Sequence, residues 1–361
     1  MDKEYRCPNC NKTLEFDGSA QNVKCTHCEA ELEIAALAEY QKEVESQAKD
    51  RFDWRVGSGE TGEEGNLGDL STGACPSCGA EFVGDKNTIA MVCPCCGNAQ
   101  TVQKSGDDAM LKPDYCIPFK LEKKSAVEAL KQFCDGKLLL PDYFKKENHI
   151  ENIQGMYAPF WLFEAKAQAR IRYKAAKVKT WSDSDYDYTK TDYYSVVRDG
   201  SLNFEKMPVD GSDKLNNAYM DAVEPFDYAQ LNNFQSECLA GYSAEKHDID
   251  VEAGKEKANE TIRNSIVKEF VSSVTGYSRV ELESSTVNIE SGKVSNALLP
   301  VWVLSTKYND ENYQFIMNGQ TGKFVGKLPV DKGKAMKFML ILTAIFGAVF
   351  TAVIQLLRIL I

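Results

Sequence analysis

Two matching sets of cysteines decide the fold of this chain. Cys7-Pro-Asn-Cys10 and Cys25-Thr-His-Cys28 have fourteen residues between them, and so do Cys75-Pro-Ser-Cys78 and Cys93-Pro-Cys-Cys96. Two CxxC pairs at this separation are typical of a zinc ribbon, in which four thiolates bind one tetrahedral ion. Because the pattern occurs twice, the sequence predicts two structural Zn²⁺ ions. Their ligands would be Cys7, Cys10, Cys25 and Cys28 in one site and Cys75, Cys78, Cys93 and Cys96 in the other.

The residues beside the thiols favour the same interpretation. Gly79 and Gly97 follow the last cysteine of two knuckles, where the chain turns through positive φ. Glu29 takes that place in the first ribbon and tolerates the conformation less well. His27 and Cys95 are alternative ligands, although the spacing favours the flanking thiols. A disulfide framework would need an oxidising compartment, and the chain starts without an apolar signal region.

Length and composition limit the function classes. A chain of 361 residues is long enough for more than one domain, and its net charge of −11 argues against a broad nucleic-acid surface. The three histidines leave little material for histidine-based catalysis. No glycine-lysine pair has the spacing of a phosphate-binding loop. We therefore expect no catalytic activity.

The C-terminal segment is strongly apolar. Phe338 to Leu357 is a run of twenty residues without a charge, and as a helix it is about 30 Å long, the thickness of a bilayer's hydrocarbon core. Four lysines precede it and only Arg358 follows it, which by the positive-inside rule places the body of the protein in the cytoplasm. Those lysines are Lys327, Lys332, Lys334 and Lys337. We expect a single-pass tail anchor over residues 334–361; a re-entrant hairpin around Gly347 is the alternative.

The remaining sequence suggests how the chain is organised. We predict a zinc ribbon over 1–34, a helix over 35–56, a flexible acidic glycine-rich linker over 57–73 and a second ribbon over 74–104. The ribbons are then independent heads. Residues 105–333 are predicted to form one α+β body with an antiparallel sheet. Three further cysteines lie in apolar surroundings and are interpreted as buried reduced thiols: Cys116, Cys134 and Cys238.

Within that body the periodicity predicts particular elements. A short helix is expected over Ser125–Cys134, with Ser125 as N-cap, and a long one over Ala253–Thr275. Asn318-Gly319 predicts a hairpin turn. The strand signals, rich in β-branched and aromatic residues, are Tyr157–Tyr173, Tyr193–Val197, Val280–Ile289, Leu298–Tyr308, Tyr313–Met317 and Lys323–Leu328.

One basic stretch leaves nucleic-acid binding open. Six basic residues occur without an acid between them, and several would share one face of a strand. They are Lys166, Arg170, Arg172, Lys174, Lys177 and Lys179. A solvated hairpin, or contact with anionic lipid, is the alternative. The nearby Asp183, Asp185, Asp187 and Asp192 lack the glycine and glutamate of a calcium loop, so we expect a solvated acidic loop.

Taken together, the two ribbons, the strand motifs Tyr157–Phe163 and Leu298–Leu304 and the apolar tail resemble a bacterial family. It is the family of membrane-anchored proteins that contain TFIIB-type zinc ribbons, which includes the YdjG-like proteins. The resemblance implies a zinc role for the eight cysteines named above and no catalytic residue. It also implies membrane-stress systems with PspA-like or SPFH-domain protein partners.

These observations lead to a functional hypothesis and its alternative. The hypothesis is a cytoplasm-facing scaffold or adaptor that is anchored in the cell membrane, contacts membrane lipid and recruits protein partners there. The alternative is a nucleic-acid-binding zinc-ribbon protein held at the membrane, associated with replication or transcription; its expected partner, nucleic acid, is the less favoured one.

Overall fold

The computed structural model divides the chain into two compact units. It describes residues 7–10, 12, 14–17, 22–45, 49–57, 70–85, 93–97, 103–104, 112–146, 150, 152–239, 241–309 and 311–360. Unit 1 comprises residues 1–55, 163–207 and 255–293, and unit 2 comprises residues 56–162, 208–254 and 294–361. Each unit is therefore assembled from three separate segments of the chain.

Unit 1 begins with a small antiparallel sheet. Its strands are β1 (Leu14–Asp17), β2 (Asn22–Cys25) and β3 (Glu31–Glu33), in the order β1-β2-β3. Helix α1 (Ile34–Glu45) follows directly and buries Leu37. Strand β4 (Arg51–Val56) comes next and alternates exposed and half-buried residues, as expected for a strand with one covered face. The predicted helix over 35–56 is therefore too long, because the alternating residues of β4 form a strand.

The core of unit 1 lies between long strands and one helix. Strand β9 (Gln154–Ser182) and strand β10 (Asp187–Asp210) form a hairpin, and β4 pairs with β13 (Arg279–Tyr308). In β9, Ala165, Ala167 and Ala169 are buried while the alternating residues Lys166 and Gln168 are exposed. These small side chains leave room for Ile262 and Ile266 of helix α4 (Val251–Ser272) in the same apolar cluster.

The tip of the β9–β10 hairpin is a tight turn. The backbone N–H of Asp183 donates to the carbonyl of Tyr186, and the Asp183 carboxylate accepts the N–H groups of Asp185 and Tyr186 at 2.9 and 2.8 Å. The acidic residues of this segment thus form a solvent-facing turn that stabilises itself, as expected for a solvated loop.

Unit 2 is mostly sheet. Its strands follow the order β11-β8-β13-β9-β12-β6-β5-β7, and β13 also pairs with β14, which pairs with β15. The bounds of the strands not yet given are β5 Leu70–Ala74, β6 Glu81–Asp85, β7 Gln103–Lys104, β8 Tyr115–Cys116, β11 Asn232–Asn233, β12 Ser243–Glu245, β14 Glu311–Asn318 and β15 Phe324–Gly326. Strand β12 runs parallel to β9 and β13 runs parallel to β8, whereas the pairs β6–β12, β13–β14, β14–β15 and β5–β6 are antiparallel. Residues 156–163 of β9 are all buried, as expected for a strand covered on both faces.

Helices cover parts of this sheet. Helix α2 (Lys123–Cys134) packs Ala126, Leu130 and Cys134 into a cluster with Trp302 and Phe315. The N-cap of α2 is Glu122, so the prediction that Ser125 caps this helix was wrong, and Ser125 lies in the first turn instead. The other short helices are α3 (Asn217–Val223) and the 3₁₀ turns Asp142–Lys145, Tyr228–Gln230 and Ser236–Leu239.

The C-terminal helix α5 spans Lys332–Leu360 and has no charged residue between Lys337 and Arg358. Its segment Lys332–Gln355 is long and apolar enough to cross a membrane, and no part of its most apolar window is buried by protein. The helix runs unbroken through Gly347, so a re-entrant hairpin at that residue is not formed.

Several boundaries differ from the sequence predictions. The structure has no single body over 105–333, because that range contributes to both units. Of the predicted linker over 57–73, residues 58–69 lie outside the described residues, and residues 70–73 belong to strand β5.

Cys116 and Cys238 form a disulfide, so their prediction as reduced thiols was wrong; pairing of β8 with β11 brings the two segments together. Cys134 is a buried free thiol as predicted.

The packing around Gly292 yields a stability prediction. A methyl group at this position would overlap the Trp54 ring, which contacts Phe163 at a centroid distance of 5.1 Å and donates to Asn259 at 2.8 Å. Because the ring is held on two sides, we expect Gly292→Ala to reduce the free energy of unfolding by about 1–3 kcal/mol. Denaturant unfolding of the detergent-solubilised chain measures this change.

The matched control adds the same methyl group at Gly347, where nothing lies within 4 Å. If Gly292→Ala were as stable as Gly347→Ala, the packing of Trp54 against β13 would be contradicted.

Candidate metal centres

The first ribbon brings four sulfur atoms together. Strand β2 ends at Cys25, and the two CxxC turns place Cys7 and Cys28 on one side of the group and Cys10 and Cys25 on the other. The Sγ atoms of Cys7 and Cys28 are 3.6 Å apart, and those of Cys10 and Cys25 are 3.4 Å apart. All four Sγ atoms lie within 4.8 Å of one another.

The second ribbon repeats this geometry in unit 2. Strand β5 leads into Cys75, and the turn after Cys78 leads into β6. The Sγ atoms of Cys75 and Cys96 are 3.8 Å apart, and those of Cys78 and Cys93 are 3.7 Å apart. In each group the first cysteine of each CxxC pair is buried and the second is half-buried. Among the described residues these are the two groups of at least three ligand-type side chains close enough to hold a metal ion.

The sulfur spacing fits a tetrahedral ion. Four thiolates around an ion at a metal–sulfur distance of about 2.3 Å are about 3.8 Å apart, close to the separations of 3.4 to 3.8 Å in both groups. Without a cation the four thiols of either site cannot all ionise at neutral pH. Burial raises the pKa of Cys7 in the first site to about 12, and it also raises the pKa of Cys78 in the second site. The residues present therefore fit a bound cation.

The knuckles are built by backbone hydrogen bonds. The N–H groups of Glu29, Gly79 and Gly97 donate to the carbonyls of Cys25, Cys75 and Cys93 at 2.8 to 3.0 Å. These three residues have φ values of 57°, 71° and 72°, so the expected left-handed turn is present, including at the non-glycine Glu29. The backbone N–H of Cys28 is the main cause that lowers the pKa of Cys25 to about 6.

The two alternative ligands lie outside the sulfur groups. His27 is exposed and is not part of the first group. Cys95 donates instead to the Glu245 carboxyl over a sulfur–oxygen distance of 3.7 Å. Burial raises the pKa of Glu245 to about 8, so this contact joins two neutral groups at pH 7. The structure thus brings the eight predicted thiols together in two groups of four, and neither His27 nor Cys95 belongs to either group.

A lysine from β9 supports the first metal centre. Lys174 donates to the backbone carbonyl and side-chain oxygen of Asn9 at 3.0 and 2.6 Å. Asn9 in turn directs its side-chain N–H toward Cys28 Sγ at 3.7 Å and its backbone N–H toward Cys7 Sγ at 3.4 Å. Since a divalent ion with four thiolates has a net charge of −2, an ammonium group beside it is favourable. Sequence reasoning identified Lys174 only as part of a basic strand.

The second ribbon is joined to the sheet of unit 2. Ser305 on β13 donates to the carbonyl of Pro94 at 2.5 Å, and Gln314 on β14 donates to the carbonyl of Cys95 at 3.3 Å. A side chain at Gly97 would collide with the Ser305 carbonyl. Strand β6 also pairs with β12. The prediction of independent ribbon heads was therefore wrong for this ribbon, because its second knuckle packs on β13 and β14.

Most basic side chains of β9 contact other residues of unit 1. Arg172 is only 5% exposed and lies over the Tyr40 ring, and Arg170 is bonded to Asp199 at 2.6 Å. Lys174 holds the first ribbon, as described above. The other members of the set, Lys166, Lys177 and Lys179, are exposed. Lys177 also lies over the rings of Tyr194 and Tyr277. Four of the six charges thus have partners within the protein, which weakens the case for a phosphate-binding strand.

Comparison with known proteins finds one similar chain over almost its whole length. A protein of Bacillus subtilis (strain 168) described as "Uncharacterized protein YdjG" is 32% identical over 348 residues, which cover 96% of this chain and 95% of the relative. No protein-family model matches the chain, and no solved structure matches it.

The ligand assignment predicts the metal content of single variants. Cys25→Ser and Cys78→Ser each remove one thiolate from a group of four, so each should lower the content from two metal ions per chain to one. His27→Ala and Cys95→Ser are the matched controls and should retain both ions. Elemental analysis by mass spectrometry of the purified full chain measures the content. Loss of an ion in a control would show that the ligand set is wrong.

The Lys174 contact predicts an effect on one site alone. Lys174→Met should weaken metal binding at the first centre by about 10- to 100-fold, because Asn9 loses the partner that orients it toward the thiolates. In a titration with a chromogenic chelator, half of the metal should then be released at a lower chelator concentration than from the unmodified chain. Lys177→Met, which removes a lysine that lies over Tyr194 and Tyr277, should titrate as the unmodified chain does. Identical curves for all three proteins would contradict the role of Lys174.

Proposed function

This chain belongs to the family of Bacillus subtilis YdjG, and from that premise we propose that it is a membrane-anchored scaffold with two zinc ribbons that recruits protein partners to the cytoplasmic face of the cell membrane. The observation that carries this proposal is helix α5, an apolar helix of membrane-spanning length whose most apolar window is not buried by any other part of the described chain. Phe346 and Phe350 are 69% and 66% exposed. Lipid is the environment that accepts such a surface.

The orientation follows from the charges at the ends of α5. Four lysines lie in or just before its first two turns, and Arg358 lies in its last turn. Positive charge favours the cytoplasmic side of a membrane segment, so both units face the cytoplasm. The eight sulfur ligands are free of disulfides, as thiolates that bind a metal ion must be.

Zinc is the proposed metal in both centres. Tetrahedral sets of four sulfurs suit zinc or iron, and the CxxC turns with short strands are typical of structural zinc sites. Four protein ligands leave no open position for a substrate, so we assign the ions a structural role. A colourless protein with two equivalents of zinc is expected, whereas thiolate-bound iron absorbs visible light.

An exposed aromatic cluster at the hairpin tip of unit 1 supports the recruitment of a protein. Trp181 and Tyr188 stack at a ring distance of 5.4 Å, and Trp181 and Tyr186 are 51% and 69% exposed. Aromatic side chains are enriched at protein interfaces. The nearby lysines are balanced by four aspartates, so the tip lacks the positive charge that nucleic acid requires. The resemblance to zinc-ribbon membrane proteins makes PspA-like or SPFH-domain proteins the candidate partners.

The recruitment test uses point variants of the full chain. Deletion of residues 1–104 would also remove β5, β6 and β7 from the sheet of unit 2, so it cannot separate recruitment from folding. We expect Trp181→Ser with Tyr186→Ser to reduce partner recovery at least about tenfold after cross-linking and affinity purification from membranes, since such anchors dominate interface energies.

The matched control is Leu282→Ser with Val271→Ser, which also removes two exposed apolar side chains from unit 1. Full recovery by the tip variant would contradict the proposal. A salt-dependent shift of DNA or RNA by the full chain, lost when Lys177 and Lys179 are changed to Glu, would support the nucleic-acid alternative instead.

A further inference from the structure

The first turn of α5 is fixed to a loop of unit 2. Lys334 donates to the carbonyl of Leu140 at 2.8 Å and to the carboxylate of Asp142 at 2.6 Å. The N–H of Asp331 donates to the carbonyl of Leu139 at 2.8 Å. The segment Lys137–Lys146 therefore lies beside the point where the helix begins.

This segment, which we call the anchor loop, is itself held firmly. Leu140 and Phe144 are each 2% exposed and belong to the cluster that contains Trp302 and Phe315. Because the loop is bonded to α5 on one side and packed into the core of unit 2 on the other, its position relative to the helix is defined. Lys334 is four residues before Phe338, which is about 6 Å of helix rise. The loop consequently lies at the level of the lipid headgroups.

The exposed side chains of the loop suit that position. Leu138 is 72% exposed, the largest exposed fraction among the large apolar residues of the described chain. Lys137, Lys145 and Lys146 of the same loop are also exposed. On α5, Lys332 and Lys337 are exposed as well, and so is Met336 between them, at 56%.

The described acidic residues beside the loop each have a hydrogen-bond or ion-pair partner within the protein. Asp142 is bonded to Lys334 and remains 80% exposed, and the Asp331 carboxylate accepts the N–H groups of Gly333 and Lys334 at 2.8 and 3.0 Å. Asp135 accepts the N–H of Gly136 at 2.9 Å. An exposed leucine in a loop with three exposed lysines is the chemistry that an anionic lipid surface favours, because the leucine enters the interface and the lysines meet phosphates.

We propose that the anchor loop is a second membrane contact of this protein, with Leu138 inserted among the headgroups and Lys137, Lys145 and Lys146 bound to anionic phospholipids. This inference rests on the proposed anchoring by α5. With two points of attachment, unit 2 has a defined tilt on the membrane and does not swing freely on its helix.

The test measures the depth of the loop in a bilayer. A genetically encoded fluorescent amino acid replaces Leu138 in the full chain, which is reconstituted in nanodiscs that carry nitroxide-labelled lipid. We expect strong quenching with phosphatidylglycerol and weaker quenching with phosphatidylcholine alone. Lys145→Glu with Lys146→Glu should lower the membrane-bound fraction of the loop at least about fivefold per lysine.

Two controls separate the possible failures. Lys166→Glu with Lys268→Glu makes the same charge change at exposed lysines of unit 1 and should leave the quenching unchanged. A second probe at Phe346 reports insertion of α5. If the probe at Phe346 is quenched but the probe at Leu138 is not, or if lipid charge and the lysine variants have no effect, the loop contact is refuted while anchoring stands. If neither probe is quenched, anchoring itself is refuted.

Discussion

Each ribbon gathers four buried or half-buried sulfur atoms within 4.8 Å of one another, a group that could hold a metal ion. The cost of burying several thiolates together is large, and it is offset only by a positive ion or by protonation. The separations in both groups match the edges of a tetrahedron of metal-bound thiolates. Short strands with little core of their own can be held together by such an ion, and both ribbons offer the ligands for it.

Each ribbon is also part of a larger unit. Lys174 of β9 reaches the knuckle of the first ribbon, and Ser305 and Gln314 reach the knuckle of the second. A metal ion bound in either ribbon would therefore stabilise contacts with the long strands as well as the local turns. Near the C-terminus, Lys334 joins the first turn of α5 to the loop that contains Leu140. In the proposed scaffold, the hairpin of β9 and β10 would present the aromatic tip to a partner, and the metal centres would be structural supports.

The sequence was sufficient for features that depend on local spacing. The cysteine pairs, the apolar run of α5 and the strand around Tyr157 follow from motif and periodicity, and the structure has all three. Contacts between residues that are distant in the sequence could not be predicted from it. Nothing near Lys174 indicates that it meets Asn9, 165 residues away, and the alternating pattern of β4 was read as part of a helix. The division into two units requires the chain to pass from one unit to the other five times, which no local pattern encodes.

The central claim is that both ribbons are closed by metal–thiolate tetrahedra. X-ray absorption spectroscopy at the zinc edge of the purified full chain tests it most directly. The account predicts two zinc ions per chain, each with four sulfur neighbours at about 2.3 Å and no nitrogen or oxygen neighbour. A metal-free protein, or a spectrum that requires nitrogen or oxygen ligands in either site, would contradict it.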